Sequence, residues 1–127
     1  MTSTSQILVA EDDKALSMVH RILFEEEGVE AVFVENGEQA LQKLATIQPK
    51  LILLDILMPK KDGFAVLRKL QEQKSTVPVI VLTNLSSETD RQECLSLGAT
   101  AVYVKSETDT EELRKMIRKY AGTTPTA

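Results

Sequence analysis

Cysteine occurs once in the 127 residues, as Cys94, and histidine once, as His20. A lone cysteine excludes an internal disulfide and suits a reducing cytosol. No His/Cys cluster can form, so zinc and softer metals are disfavoured. No apolar run is longer than a strand, and none is expected to cross a bilayer. The opening "MTSTSQ" has neither a basic nor an apolar stretch, which argues against export and for a cytoplasmic protein. Cations are also in the minority: 15 Lys and Arg against 19 Asp and Glu leave a net charge of −4. A nucleic-acid backbone is held by basic patches, so this chain alone is not expected to bind one.

What is present is a globular composition, 43% hydrophobic and 27% charged, in a chain long enough to bury one core. Five apolar, β-branched segments recur: "QILVA" from Gln6, "VEAVFV" from Val29, "LILL" from Leu51, "PVIVL" from Pro78 and "AVYV" from Ala101. Helix-length segments separate them. The last shows Leu113, Met116, Ile117 and Tyr120 at i, i+3, i+4, i+7 spacing. The second presents Ala40, Leu41 and Leu44 and opens on Asn36 with Gln39 three residues on, a capping-box pattern. The third presents Phe64, Leu67 and Leu70; the fourth starts after Ser86 or Ser87 and carries Cys94, Leu95 and Leu97. Gly28, Gly98 and Gly122 stand where helices should stop.

Strand and helix alternating five times predict βαβ units and a parallel sheet covered on both faces. "LILL" and "VIVL" are continuous rather than alternating, as in strands buried on both sides. The predicted fold is a single α/β domain: a five-stranded, doubly wound, flavodoxin-like parallel sheet of order 2-1-3-4-5. The domain is expected over residues 6–121, with a disordered N-terminal end at 1–5 and a flexible tail at 122–127.

Ligands of open α/β sheets bind outside the carboxyl ends of the strands, where strand order reverses. The first strand ends in Glu11, Asp12 and Asp13, the third in Asp55, the fourth in Thr83 and Asn84, and the fifth in Lys105. The 2-1-3-4-5 order would bring Asp12 and Asp55 side by side, flanked by a hydroxyl and an ammonium. This explains why a carboxylate follows the most hydrophobic run: Asp55 is expected at a rim. Crowded carboxylates repel unless a cation is present. The hard, oxygen-preferring Mg²⁺ suits them, and such a site is equipped for phosphoryl transfer to a carboxylate.

With these residues in view the chain resembles the receiver domain of a two-component response regulator. "ILVAEDD", "LLDILMPKKDG", "VIVLT" and "VYVK" carry the resemblance, which runs from about Ile7 to Tyr120. It implies that Asp55 is the phosphoacceptor and that Glu11, Asp12, Asp55 and the backbone carbonyl of Leu57 hold Mg²⁺. It further implies that Thr83 is the switch hydroxyl, Tyr103 an aromatic rotamer switch and Lys105 the phosphoryl-binding lysine. The phosphodonor would be a sensor histidine kinase, a phosphotransfer protein or a small molecule. The output would pass through the fourth helix, fifth strand and fifth helix to a downstream protein or a second copy. The domain would assist its own phosphorylation and dephosphorylation without being an enzyme.

Three positions depart from the family's pattern. Ser106 follows the lysine where a proline reached through a cis peptide is usual. Asn84 stands where a small residue is usual, placed to narrow access to the phosphoryl group or to donate to it. Leu57 offers no polar group to orient an attacking water, which predicts a long-lived phosphorylated form. The same leucine counts against a phosphohydrolase of the haloacid dehalogenase type, which needs a second acid there. The other alternative is a receiver-like interaction module that works without phosphorylation. Elsewhere Asp13 reads as a helix cap, His20 as a half-exposed helix residue, Cys94 as a small buried hydrophobe and Lys60–Lys61 as a solvated turn. "FEEE" reads as surface acid at the unfavourable end of a helix dipole. No output domain is seen after the receiver, which suggests a stand-alone regulator or an excised domain.

Overall fold

A computed structural model describes residues 6–121. The apolar runs form the strands β1 (Gln6–Ala10), β2 (Glu30–Val34), β3 (Leu51–Leu54), β4 (Val79–Thr83) and β5 (Ala101–Val104). All pair in parallel, in the order β2-β1-β3-β4-β5. Between and after them lie α1 (Lys14–Glu26), α2 (Gly37–Leu44), α3 (Gly63–Glu72), α4 (Glu88–Ser96) and α5 (Thr110–Ala121). A short 3₁₀ turn, Lys105–Glu107, follows β5. The proposed loose ends and Gly122 lie outside the described residues.

Alternate residues of each central strand feed two cores. Leu8, Ile52, Leu54 and Val81 pack with Ala40, Val66, Leu67 and Cys94 of α2, α3 and α4. Ile7, Leu53, Ile80 and Leu82 pack with Leu23 and Phe24 of α1 and with Leu113 and Ile117 of α5. Every residue of β3 is buried, which is why its sequence shows no alternation. Each such leucine contributes roughly 1.5–3 kcal/mol by leaving water.

Side-chain oxygens cap all five α-helices: Asp13, Asn36, Asp62, Ser87 and Asp109 accept from the N–H groups of Leu16, Gln39, Ala65, Asp90 and Glu112. Gln39 completes the box by reaching back to the N–H of Glu35, one residue before the cap. Gly28 and Gly98 stop α1 and α4 in the left-handed conformation, with φ of 70° and 101°.

Two expectations are corrected. His20 is buried, 3% exposed, because the α1 face that carries Leu23 and Phe24 also carries residue 20. The acids of "FEEE" are not plain surface: α5 brings two arginines to them. Arg114 lies 2.6 Å from Glu26 and 3.0 Å from Glu27, and Arg118 lies 2.8 Å from Glu27. The hydrogen bond from Arg118, supported by Arg114, holds the Glu27 carboxyl below its ordinary 4.5.

Candidate functional site

The switch in strand order between β1 and β3 sets Ala10 against Leu54, so the residues that follow emerge together. Glu11 and Asp55 are 3% and 4% exposed, while Asp12 is open to solvent. One oxygen from each of these three carboxylates lies within 4.8 Å of the other two. Lys105, delivered from β5, donates from Nζ to Asp55 Oδ2 at 2.8 Å and contacts Glu11 Oε1 at 2.7 Å. Asp55 Oδ1 accepts from the N–H of Leu57 at 3.3 Å, and Glu11 Oε2 from that of Asp13 at 3.0 Å.

Burial pushes the Glu11 carboxyl above its ordinary value, with Asp55 adding repulsion, and this outweighs the bonds from Lys105 and Asp13. Burial also opposes charge on Lys105, but its bonds to Asp55 and Glu11 prevail and hold it above 10.5. The pocket thus gathers more acid than its single ammonium balances. Three hard oxygen donors without sulfur or imidazole fit a divalent cation of the Mg²⁺ class.

The loop beneath Asp55 is held by close backbone approaches. Gly63, first residue of α3, donates to Ile56 O at 2.9 Å, and a Cβ there would stand 2.5 Å from the carbonyl oxygen of Asp55. Gly37 donates to Lys61 O at 2.8 Å, and a Cβ on it would collide with that carbonyl. Glycine at both positions lets α2 and α3 seat against the loop.

The remaining candidates lie around this cluster. Thr83 is buried, and its Oγ1 accepts from the N–H of Leu85 at 3.3 Å. Tyr103 is half-buried on β5, against the α1–α5 core. Leu57 directs its side chain to solvent, 55% exposed. No cis peptide occurs among the described residues, so Lys105–Ser106 is trans. Its amide N–H donates to Asn84 Oδ1 at 3.2 Å, a partnership that neither residue announces by itself.

Residues 7–118 match the response regulator receiver domain. The chain belongs to that family. Escherichia coli CpxR, a transcriptional regulatory protein, is 38% identical to this receiver domain over 118 residues, covering 91% of the chain and 50% of CpxR. The chain therefore spans half the length of that relative. The receiver domain of a Francisella response regulator superposes with a TM-score of 0.85 at 30% identity, covering 94% of this chain and 98% of the other. The receiver domain of a Pseudomonas aeruginosa sensor histidine kinase gives a TM-score of 0.83 at 26% identity over 94% and 99% of the two chains. That structure has a magnesium ion coordinated in its active-site cleft. Receiver domains are signalling domains, and this one shares the family's acidic pocket of Glu11, Asp12 and Asp55. Among the described residues no helix is long and apolar enough to cross a membrane.

Proposed function

We propose that this receiver domain accepts a phosphoryl group on Asp55 in a Mg²⁺-dependent reaction in the cytoplasm and thereby switches a protein-interaction face. The observation that carries the reading is the contact of Lys105 Nζ with Asp55 and Glu11 at the point where strand order reverses. A carboxylate oxygen of Asp55 attacks phosphorus, and the bond from phosphorus to the donor's imidazole nitrogen or acyl-phosphate oxygen breaks, releasing the donor's histidine side chain or acetate. Lys105 neutralises charge on the equatorial oxygens. Glu11, Asp12, Asp55 and the carbonyl of Leu57 would hold the cation, which supplies charge neutralisation between acceptor and phosphoryl group. Thr83, whose hydroxyl proton is not used in its bond with the Leu85 N–H, would donate it to the new phosphoryl group, and Tyr103 would follow inward, changing the face of α4, β5 and α5. Such a two-state element is biased by a local charge event.

The donor protein would be a sensor histidine kinase or a phosphotransfer protein. Ala15, Met18, Val19 and Ile22 form an outward stripe on α1, next to the acidic cluster, with Met18 59% and Ile22 52% exposed. Its apolar character and position beside the acceptor suit docking of that donor. The output partner would be a downstream protein or a second copy at the α4–β5–α5 face.

Intact mass after incubation with acetyl phosphate and Mg²⁺ tests the reading. One phosphoryl group is expected on the parent and none on Asp55→Asn or on the parent with excess chelator. No uptake by a folded parent would replace this reading with an interaction module independent of phosphorylation. Exposed, apolar Leu57 offers nothing to orient a water, so the phosphorylated form should be long-lived. Leu57→Asn should shorten its lifetime several-fold, followed by the decay of the phosphorylated mass; a longer lifetime would refute the role given to Leu57.

A further inference from the structure

The segments that follow β4 and β5, next to Thr83 and at Lys105, are joined by the side chain of Asn84. Register pairs Thr83 with Val104, so Asn84 and Lys105 leave neighbouring strands at the same level. Asn84 Oδ1 accepts from the N–H of Ser106 at 3.2 Å. That N–H belongs to the first turn of the 3₁₀ segment Lys105–Glu107, which is also closed by the Thr108 N–H on Lys105 O at 3.3 Å and by the Thr108 hydroxyl, which donates to Val104 O at 2.8 Å. Early amides of a helical turn lack partners within it, and Asn84 supplies one from another loop, as a cap would. No proline occupies position 106, so the amide proton exists to be bound. The consequence reaches the pocket, because the capped turn is where Lys105 departs toward Asp55 and Glu11. On the other side, Asn84 lies between Thr83 and Leu85, whose mutual bond ties the threonine hydroxyl to its own loop.

We propose that Asn84 is a positioning residue of phosphoryl transfer: through the Ser106 amide it fixes the turn that aims Lys105, and it couples that turn to the loop of Thr83. The proposal rests on the reading of Asp55 as acceptor. It assigns Asn84 neither a contact with the phosphoryl group nor a steric role at the entrance.

The test measures the initial rate of phosphoryl uptake from acetyl phosphate with Mg²⁺ in excess, by intact mass, together with hydrogen exchange of the Ser106 amide. Asn84→Ala and the similarly sized Asn84→Leu should both slow uptake about three- to tenfold and speed exchange at Ser106, since both remove the acceptor. Asn84→Asp, which keeps an acceptor oxygen, should restore slow exchange. In a Ser106→Pro background, which has no amide proton, Asn84→Ala should change the rate less than twofold. Faster uptake in Asn84→Ala would show a residue that restricts access and would overturn the proposal. So would an equal loss in both backgrounds, which means a direct action on the phosphoryl group. A parent that takes up no phosphoryl group removes the underlying reading as well, whereas normal parental uptake with additive losses defeats only the role of Asn84.

Discussion

At the scale of single residues, His20 gives a measurable dependence on pH. Its ring lies 6.3 Å from that of Phe24, and Nδ1 has no hydrogen-bond partner among the described residues. Burial lowers its pKa from 6.5 to about 4, and the charge of Lys105 acts in the same direction. An unfolded chain therefore takes up a proton below 6.5 while the folded one declines it until about 4. Stability is full above the higher value and is lost as the pH falls toward the lower one. The expected loss at this residue is about 2 kcal/mol between pH 7 and pH 5. His20→Leu should remove that portion, read as a smaller difference between urea unfolding free energies at the two pH values than the parent shows. A parent and variant with the same difference would mean that His20 is hydrated or partnered in solution. Nothing in the residue's identity signals this: the lone histidine is conspicuous, but its burial depends on which face of α1 meets α5.

At the scale of elements, the connection from β3 to α3 leaves little room for change. Asp55 stands at the end of a strand whose every residue is buried, and Gly63 lets the next helix return within contact of its carbonyl. Gly63→Ala forces a methyl group against Asp55 and Ile56 backbone and should destabilise the domain by about 1–3 kcal/mol. A lowered urea midpoint accompanied by slower phosphoryl uptake is expected, and an unchanged midpoint would show that the loop yields freely. Much at this scale was legible in the sequence. The β-branched runs, the Asn36 and Ser87 caps and the stop glycines Gly28 and Gly98 are local signals, and local geometry answered them. The acidic cluster was legible because strand ends and strand order together place Glu11, Asp12, Asp55 and Lys105. Asn84 and Ser106 were each visible as departures from a family pattern, but their bond depends on the register of β4 with β5, which no local spacing encodes. The close approach at Gly37 is hidden for the same reason, since its neighbour Lys61 belongs to a different connection.

Across the whole molecule, the first and last helices are fastened to each other by Glu26 and Glu27 with Arg114 and Arg118. The Glu27 side chain is 8% exposed but the Arg118 side chain is 61% exposed, so solvent screens much of the attraction. Glu27 is held below its ordinary 4.5 chiefly by Arg118, so its contribution is present above that value and is lost as the pH falls through the lower, folded value. Glu27→Gln should lower the melting temperature at neutral pH, and the deficit should shrink in concentrated salt. A deficit unaffected by salt would identify packing rather than charge as the fastening. The pocket itself spans the molecule in another sense. Lys105 reaches partners 94 and 50 residues earlier in the chain, Glu11 and Asp55, through β5 at the edge of the sheet. The central strands alone bring Glu11 and Asp55 together without the ammonium beside them. The pocket's charge balance is therefore a property of the completed sheet: it exists only where β5 has taken its place at the edge.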